Sequence, residues 1–236
     1  MEFTFQQQVE EKGINLSPQQ FHQFEMYYET LIEWNEKMNL TAIVDRDAVF
    51  MKHFYDSLTL SFYYNFTRKL SLCDVGSGAG FPSIPLKICF PQLSVSIVDS
   101  LQKRTVFLQT LVDRLRLENV HIHHDRAEIF GQNRVYRESF DVATARAVAK
   151  LPVLCEYCLP LVKKDGHFLA MKGASVNAEL EQSREAIATL GGRVEAVDAL
   201  TLPGEQSKRH VITIAKEKET PAAFPRKPGT PNKRPL

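Results

Sequence analysis

The chain divides by the period of its apolar positions. Phe21, Phe24, Tyr28, Leu31 and Ile32 recur at three- and four-residue steps, which predicts an amphipathic helix. Ser17 is suited to cap it and Pro18 to open it, where a missing N–H costs little. A second helical stretch is expected from about Asp47 to Tyr63, after a polar-aromatic connection, WNEKMNLTAI, that begins at Trp34. Past residue 65, short apolar runs alternate with helical stretches. Strands are predicted at Leu70–Val75, Val95–Val98, Val120–His123, Phe140–Thr144, Gly166–Met171, Arg193–Val197 and His210–Ala215. Helices are predicted at Phe81–Cys89, Leu101–Leu115, Ala127–Gly131, Val148–Leu161 and Asn177–Thr189. Strands separated by helices imply a mostly parallel sheet covered on both faces. The last two strands have no helix between them, so the final strand is expected to enter antiparallel. No internal repeat is visible.

Three regions follow: a helical extension over residues 1–65, a core over 66–217 and a tail over 218–236. Five prolines fall between Pro221 and Pro235, and the only charges after Glu219 are Arg226, Lys227, Lys233 and Arg234. With almost no large apolar groups, this tail is expected to be a mobile or extended arm, either inert or in contact with phosphates.

Composition narrows the class. Lys and Arg number 29 against 28 acidic residues, so net charge argues neither for nor against nucleic acid, and any RNA-binding surface must be local. No run approaches the ~18 apolar residues of a membrane span, and the N-terminus lacks the pattern of a signal peptide. A cytoplasmic protein with no membrane partner is expected, and a monomer. Four cysteines are too few for a disulfide framework in a chain of this length.

The chemistry centres on SLCDVGSGAGFPSIP, Ser71 to Pro85: an apolar run, a turn of Gly76-Ser77-Gly78-Ala79-Gly80, then a helical stretch. Strand, glycine turn and helix bring bare backbone against a nucleotide-like ligand. The spacing is G-x-G-x-G, and the dinucleotide fingerprint fails because Phe81 stands where its last glycine would be. Asp74 precedes the turn. Asp99 ends the next strand, 23 residues after Gly76, where a carboxylate reaches a ribose hydroxyl pair. The pattern looks like the S-adenosylmethionine site of a Rossmann-type methyltransferase. Cys155 and Cys158 form a C-x-x-C without a second pair at zinc spacing, and are read as apolar helix residues. His121, His123 and His124 are read as structural.

WNEKMNLTAI, KHFYDSL, DVGSGAGFPSIPL, VDSLQKRTVFL, DRAE, FDVATARAVA and GHFLAMKG occur in that order. Together they resemble the RsmG family (glucose-inhibited division protein B), bacterial methyltransferases acting on N7 of a guanine in 16S ribosomal RNA. The resemblance runs from about Leu16 to the last strand. One departure is Ser83, where the family is expected to carry glycine. The resemblance implies an α/β, Rossmann-like, seven-stranded fold with an N-terminal helical extension, S-adenosyl-L-methionine as cofactor, and 16S ribosomal RNA or the small ribosomal subunit as partner. It also implies cofactor contacts from Gly76 and Phe81 at the methionine end, Asp99 and Ser100 at the ribose, Ala127 and Glu128 at the adenine, and Arg146.

Guanine N7 carries a lone pair and no proton, so no general base is required and no catalytic acid, base or metal is assigned. Candidate RNA contacts are Lys103, Arg104 and Lys172, with Lys208 and Arg209 as a further basic spot. Asn39, His53 and Asp56 serve either RNA or local structure. A methyltransferase for a small molecule or a protein would differ by an apolar lid over its pocket instead of a basic rim. A non-catalytic RNA-binding assembly factor would differ by failing to bind the cofactor.

Overall fold

A computed structural model describes residues 4–174, 176–204 and 208–236. Helices α1 (Phe5–Glu10) and α2 (Pro18–Met38) both start on reciprocal caps. Ser17 Oγ accepts the Gln20 N–H at 3.2 Å while Gln20 Oε1 accepts the Ser17 N–H at 2.9 Å. α2 continues past Trp34 to Met38, so the first half of the expected connection is helical. Leu31, Trp34 and Met38 prolong the buried face, and the helix ends only where Asn39 turns left-handed (φ 50°).

The second helical stretch is broken into α3 (Arg46–Val49), a π-helical turn (Phe50–Tyr55), α4 (Asp56–Leu58) and α5 (Leu60–Tyr63). The Ser57 and Thr59 hydroxyls donate back to the carbonyls of His53 and Asp56, both at 2.6 Å, in competition with regular helix bonding. A π turn is a common device at functional sites. Here it carries His53 and, just after it, Asp56.

The core alternates β1 (Ser71–Val75), α6 (Ser83–Cys89), β2 (Ser94–Asp99), α7 (Gln102–Arg114), β3 (Val120–His124), α8 (Ala127–Gln132), β4 (Phe140–Arg146), α9 (Leu151–Cys158), β5 (Val162–Lys172), α10 (Val176–Thr189), β6 (Gly192–Thr201) and β7 (Lys208–Lys216). The strands form one seven-stranded sheet in the order β3-β2-β1-β4-β5-β7-β6. All pairs are parallel except those made by β7, which enters antiparallel between β5 and β6. The strand order reverses between β1 and β4. A crevice opens at the carboxyl ends of such a pair, the usual ligand position in open α/β sheets.

Two apolar cores flank the sheet. Leu72, Val95, Ile97 and Val142 face α1, α2, α6 and α7, with the aromatic cluster of Phe5, Phe24, Phe50 and Phe54. Cys73, Val75, Val98, Ala143 and Phe168 face α8, α9 and α10. The alternation Leu72, Cys73 is the period of two that a strand buried on both faces requires. Trp34 meets Phe107 edge-on at 5.7 Å between centroids, joining α2 to α7. Cys155 and Cys158 are buried in α9, where burial pushes both thiols up. No helix among the described residues is long and apolar enough to cross a membrane.

The tail is not a mobile arm. At its start, the fully buried Lys216 Nζ donates to the carbonyls of Leu159 and Val162, to Glu138 Oε1 and to Thr220 Oγ1, all within 3.0 Å. The Arg137 guanidinium then donates to the carbonyls of Thr220 (2.7 Å) and Phe224 (2.6 Å). Arg226 makes a two-pronged ion pair with Glu156 of α9, which has no exposed surface. The last short helix, α11 (Thr230–Lys233), rests on α9. The tail builds no core of its own, but Phe224 and Leu236 pack against the second apolar core of the sheet. Charged donors on carbonyls and one buried carboxylate complete its anchoring, a mode that hydrophobic content does not register.

Candidate active site

Two adjoining cavities open where β1 and β4 end. The smaller, about 250 Å³, is lined by Val75, Gly76, Val98, Ser100, Asp125–Glu128 and Val148, closed by Tyr157, Gly229 and Asn232. The larger, about 520 Å³, is lined by Lys52, His53, Asp56, Arg146, Lys172 and Arg209 among others.

Gly76, the first residue of the glycine turn, lines the smaller one. Gly76 has φ 73°, and a Cβ there would lie 2.7 Å from Val148 Cγ2, so both backbone shape and close packing call for glycine. Gly80 is crowded from the other side. Its added Cβ would lie 2.6 Å from the Tyr27 hydroxyl, which donates to the Ala79 carbonyl at 2.6 Å. The helical layer thus fixes the turn from outside the sheet.

Asp99 is buried, and its carboxylate is turned to backbone. It accepts the Leu101 N–H at 2.9 Å and the Gly78 N–H at 3.3 Å, with Arg104 Nη1 at 3.6 Å. Of the predicted cofactor residues, the small cavity gathers Gly76, Ser100, Ala127 and Glu128. Asp99, Phe81 and Arg146 are not among its walls.

Phe81 and Arg146 belong to a second cluster. Arg146 sits over the Phe81 ring (4.7 Å to the centroid), and His53 stacks on the same ring at 4.7 Å with planes 26° apart. Arg146 Nη1 lies 2.8 Å from Asp56 Oδ2, and Arg209 Nε lies 3.4 Å from Asp56 Oδ1. His53 Nδ1 faces the Lys52 carbonyl at 3.1 Å and Nε2 the Thr41 hydroxyl at 2.8 Å. A neutral ring that donates from Nδ1 and accepts at Nε2 satisfies both contacts. Burial, with the Arg146 charge, lowers the His53 pKa to about 4. Asp74 moves the other way. Burial raises it to about 7, against the Ser83 N–H at 3.1 Å and the Arg146 charge.

The family model of rRNA small subunit methyltransferase G, GidB, matches residues 20–212. The chain belongs to the GidB family. It is 61% identical, over all of both chains, to the ribosomal RNA small subunit methyltransferase G of Geobacillus thermodenitrificans. It is 59% identical to that of Bacillus cytotoxicus, over 98% of this chain and 97% of the relative. A solved 16S rRNA (adenine-N1)-methyltransferase of Catenulisporales acidiphilia superposes with a TM-score of 0.52 at 14% identity, covering 70% of this chain and 90% of that one, a likeness of fold.

The predicted RNA contacts of this GidB-family chain separate. Lys103 is exposed at the start of α7, while its neighbour Arg104 is drawn to Asp99. The Lys172 side chain keeps only 11% of its surface. It pairs with Glu179 at 2.7 Å and donates to the Ala149 carbonyl at 3.1 Å, so it is a wall of the large cavity. Lys208 is exposed, and Arg209 reaches Asp56. Asn39 ends α2, four residues after Asn35, whose side-chain carbonyl accepts the Thr41 N–H at 2.8 Å. Sequence reasoning did not single out Asp125, Arg126, Val148, Tyr157, Gly229 or Asn232. The first two were legible as neighbours of Ala127 in DRAE; the tail residues carried no signal.

Proposed function

We propose that the small cavity takes the adenosyl part of S-adenosylmethionine, that the large cavity takes a guanine of 16S ribosomal RNA, and that a methyl group passes between them to guanine N7. The apolar surfaces of Val75, Val98, Ala127 and Val148 suit a base and ribose, and Ser100 and Glu128 supply polar contacts at its edges. Bare backbone at Gly76 allows close approach. Bound there, the cofactor supplies an electrophilic methyl on a sulfonium. Asp99 acts by tying Gly78 and Leu101 together, which shapes both the turn and the ribose corner.

The carrying observation is the charge of the larger cavity: Lys52, Arg146, Lys172 and Arg209 against Asp56 and Glu179, with no apolar lid among the described residues. That rim favours a nucleic acid over a small apolar substrate. Guanine presents acceptors at N7 and O6 and donors at N1 and N2. The cavity offers guanidinium donors and the Asp56 carboxylate, a set complementary to both. The base must leave its stack to enter.

The protein's task is alignment of N7 with the methyl carbon and exclusion of water. N7 has no proton to remove, and His53 held neutral is not needed as a base. Phe81, against whose ring His53, Tyr27 and Arg146 all pack, is the rigid divider between the two ligands. Lys103, Arg104, Lys208 and the exposed tail cations Lys227, Lys233 and Arg234 hold neighbouring phosphates. The protein works in the cytoplasm as a monomer on ribosomal RNA or a small-subunit particle. The test is transfer of labelled methyl from S-adenosylmethionine to 16S ribosomal RNA and to small subunits, with mapping of N7-methylguanosine by chain cleavage. One modified guanine is expected; methyl at another atom, or none on either substrate, refutes the reading.

A further inference from the structure

The C-terminal segment reaches the small cavity through two hydrogen bonds. The Gly229 N–H donates to Glu128 Oε1 at 2.7 Å, and Glu128 itself is buried. Asn232 Nδ2 donates to the Tyr157 hydroxyl at 2.9 Å. Both Gly229 and Asn232 line the cavity together with Gly76, Ser100 and Ala127. Three residues before Gly229, Arg226 grips Glu156: its backbone N–H donates to Oε1 at 2.7 Å, and its guanidinium spans both oxygens at 2.6–3.1 Å.

Glu156 has no exposed surface, and Arg226 engages both of its carboxylate oxygens. A carboxylate taken out of water is costly unless it is paired and hydrogen-bonded. Its place in the middle of α9, one residue before Tyr157, therefore fixes where Arg226 must sit, and with it Gly229 and Asn232. Pro225, packed where a Cβ on Gly131 would lie 2.9 Å away, and the Gln132 side chain on the Pro225 carbonyl (2.8 Å) hold the approach to Arg226. Nothing in these contacts resembles a solvated phosphate-binding arm. Arg226 is committed inward.

Resting on the cofactor reading above, we propose that residues 226–232 are a wall of the S-adenosylmethionine site, and that Glu156 is the positioning residue that seats it through Arg226. The Gly229 N–H holds the Glu128 carboxylate against the base-side end of the cavity. Asn232 holds the Tyr157 ring at its mouth. The cofactor is thereby enclosed between the glycine turn on one side and the C-terminal segment on the other. The segment contributes to cofactor retention, a role separate from the RNA contacts of its exposed cations.

Hydrogen exchange on the full chain tests this with S-adenosylhomocysteine as the probe. Saturating probe should slow exchange of the amides in 226–232 by at least tenfold, together with those of the glycine turn, 76–80. By calorimetry, Arg226→Ala should weaken the probe at least tenfold and Asn232→Ala about threefold, with Arg226→Lys in between. Folding of each variant is checked by circular dichroism, and exchange in the unsubstituted protein does not depend on the variants folding. Protection of 76–80 without any change at 226–232, or unchanged affinity in folded Arg226→Ala, overturns the proposal while leaving the cofactor reading intact. Protection of neither segment overturns the cofactor reading, and the proposal with it.

Discussion

Gly76→Ala is the sharpest test of the site's construction. Two costs arise at one atom. The backbone at φ 73° is left-handed, which disfavours a residue with a Cβ by about 1–2 kcal/mol. The new Cβ also falls 2.7 Å from Val148 Cγ2. Overpacking costs about 1–3 kcal/mol, and because Val148 keeps 39% of its surface exposed and is able to shift, the lower end applies. The sum, roughly 2–3 kcal/mol, should lower the melting temperature by roughly 4–12 °C in a chain of this size. The double variant Gly76→Ala with Val148→Ala should recover the packing part and leave the backbone part. Because Gly76 and Val148 line the same cavity, Gly76→Ala should also weaken S-adenosylhomocysteine at least tenfold. Thermal melting of the four-protein cycle and calorimetry read both quantities. A single variant melting within 2 °C of the parent, with undiminished affinity, would refute the argument that this glycine is required by shape and contact together.

Asp56→Ala removes the carboxylate that Arg146 and Arg209 both face. Since the Arg146 side chain retains 15% exposure, a loss of about 3 kcal/mol is expected in urea unfolding, at the lower end for a broken buried pair. Asp56→Asn should keep more of the stability yet still slow single-turnover methylation, and full methylation by both variants would remove Asp56 from the substrate cavity. The pH dependence of stability carries two opposed terms. His53 has its pKa lowered to about 4, so the unfolded chain takes up a proton that the native one does not, and stability is lost as pH falls from about 6.5 through 4. Asp74 has its pKa raised to about 7, so the native chain keeps a proton that the unfolded one releases, and stability is lost as pH rises from about 4 through 7. Between pH 4 and 6.5 the two slopes, each about 1.4 kcal/mol per pH unit, cancel. His53→Gln should expose the falling slope and Asp74→Asn the rising one in urea midpoints from pH 4.5 to 6.5. Curves parallel to that of the parent in both variants would show that neither group titrates as described.

What could be read from the sequence was what local pattern controls. Short apolar runs or alternation located all seven strands: the central ones are buried on both faces, and β6 alternates half-buried with exposed residues. The missing helix before the last strand gave its antiparallel entry. The glycine turn, the end of the second strand and DRAE located four walls of the small cavity, Gly76, Ser100, Ala127 and Glu128. The rest depended on where side chains point after packing. Arg146 ends β4 and Val148 stands two residues on, yet Arg146 turns to Asp56 while Val148 faces Gly76. The π turn over Phe50–Tyr55 is a local departure from helical bonding that the apolar spacing between Asp47 and Tyr63 does not encode. Lys172 reads as a surface cation until Glu179 and the Ala149 carbonyl are seen to enclose it. The tail was misread for the same reason. Its partners, Glu138, Glu156 and Arg137, lie tens of residues away in the chain.

The edge-on contact of Trp34 with Phe107 has a practical side. Trp34 is the chain's one tryptophan, and it sits on the seam between the helical layer and α7. Its emission therefore reports a single event, the separation of that layer from the sheet. Far-ultraviolet dichroism follows the sheet and helices as a whole. If the layer that pins the glycine turn through Tyr27 lifts before the core melts, the fluorescence transition will precede the dichroism transition, and the protein will announce the loosening of its site without any added label.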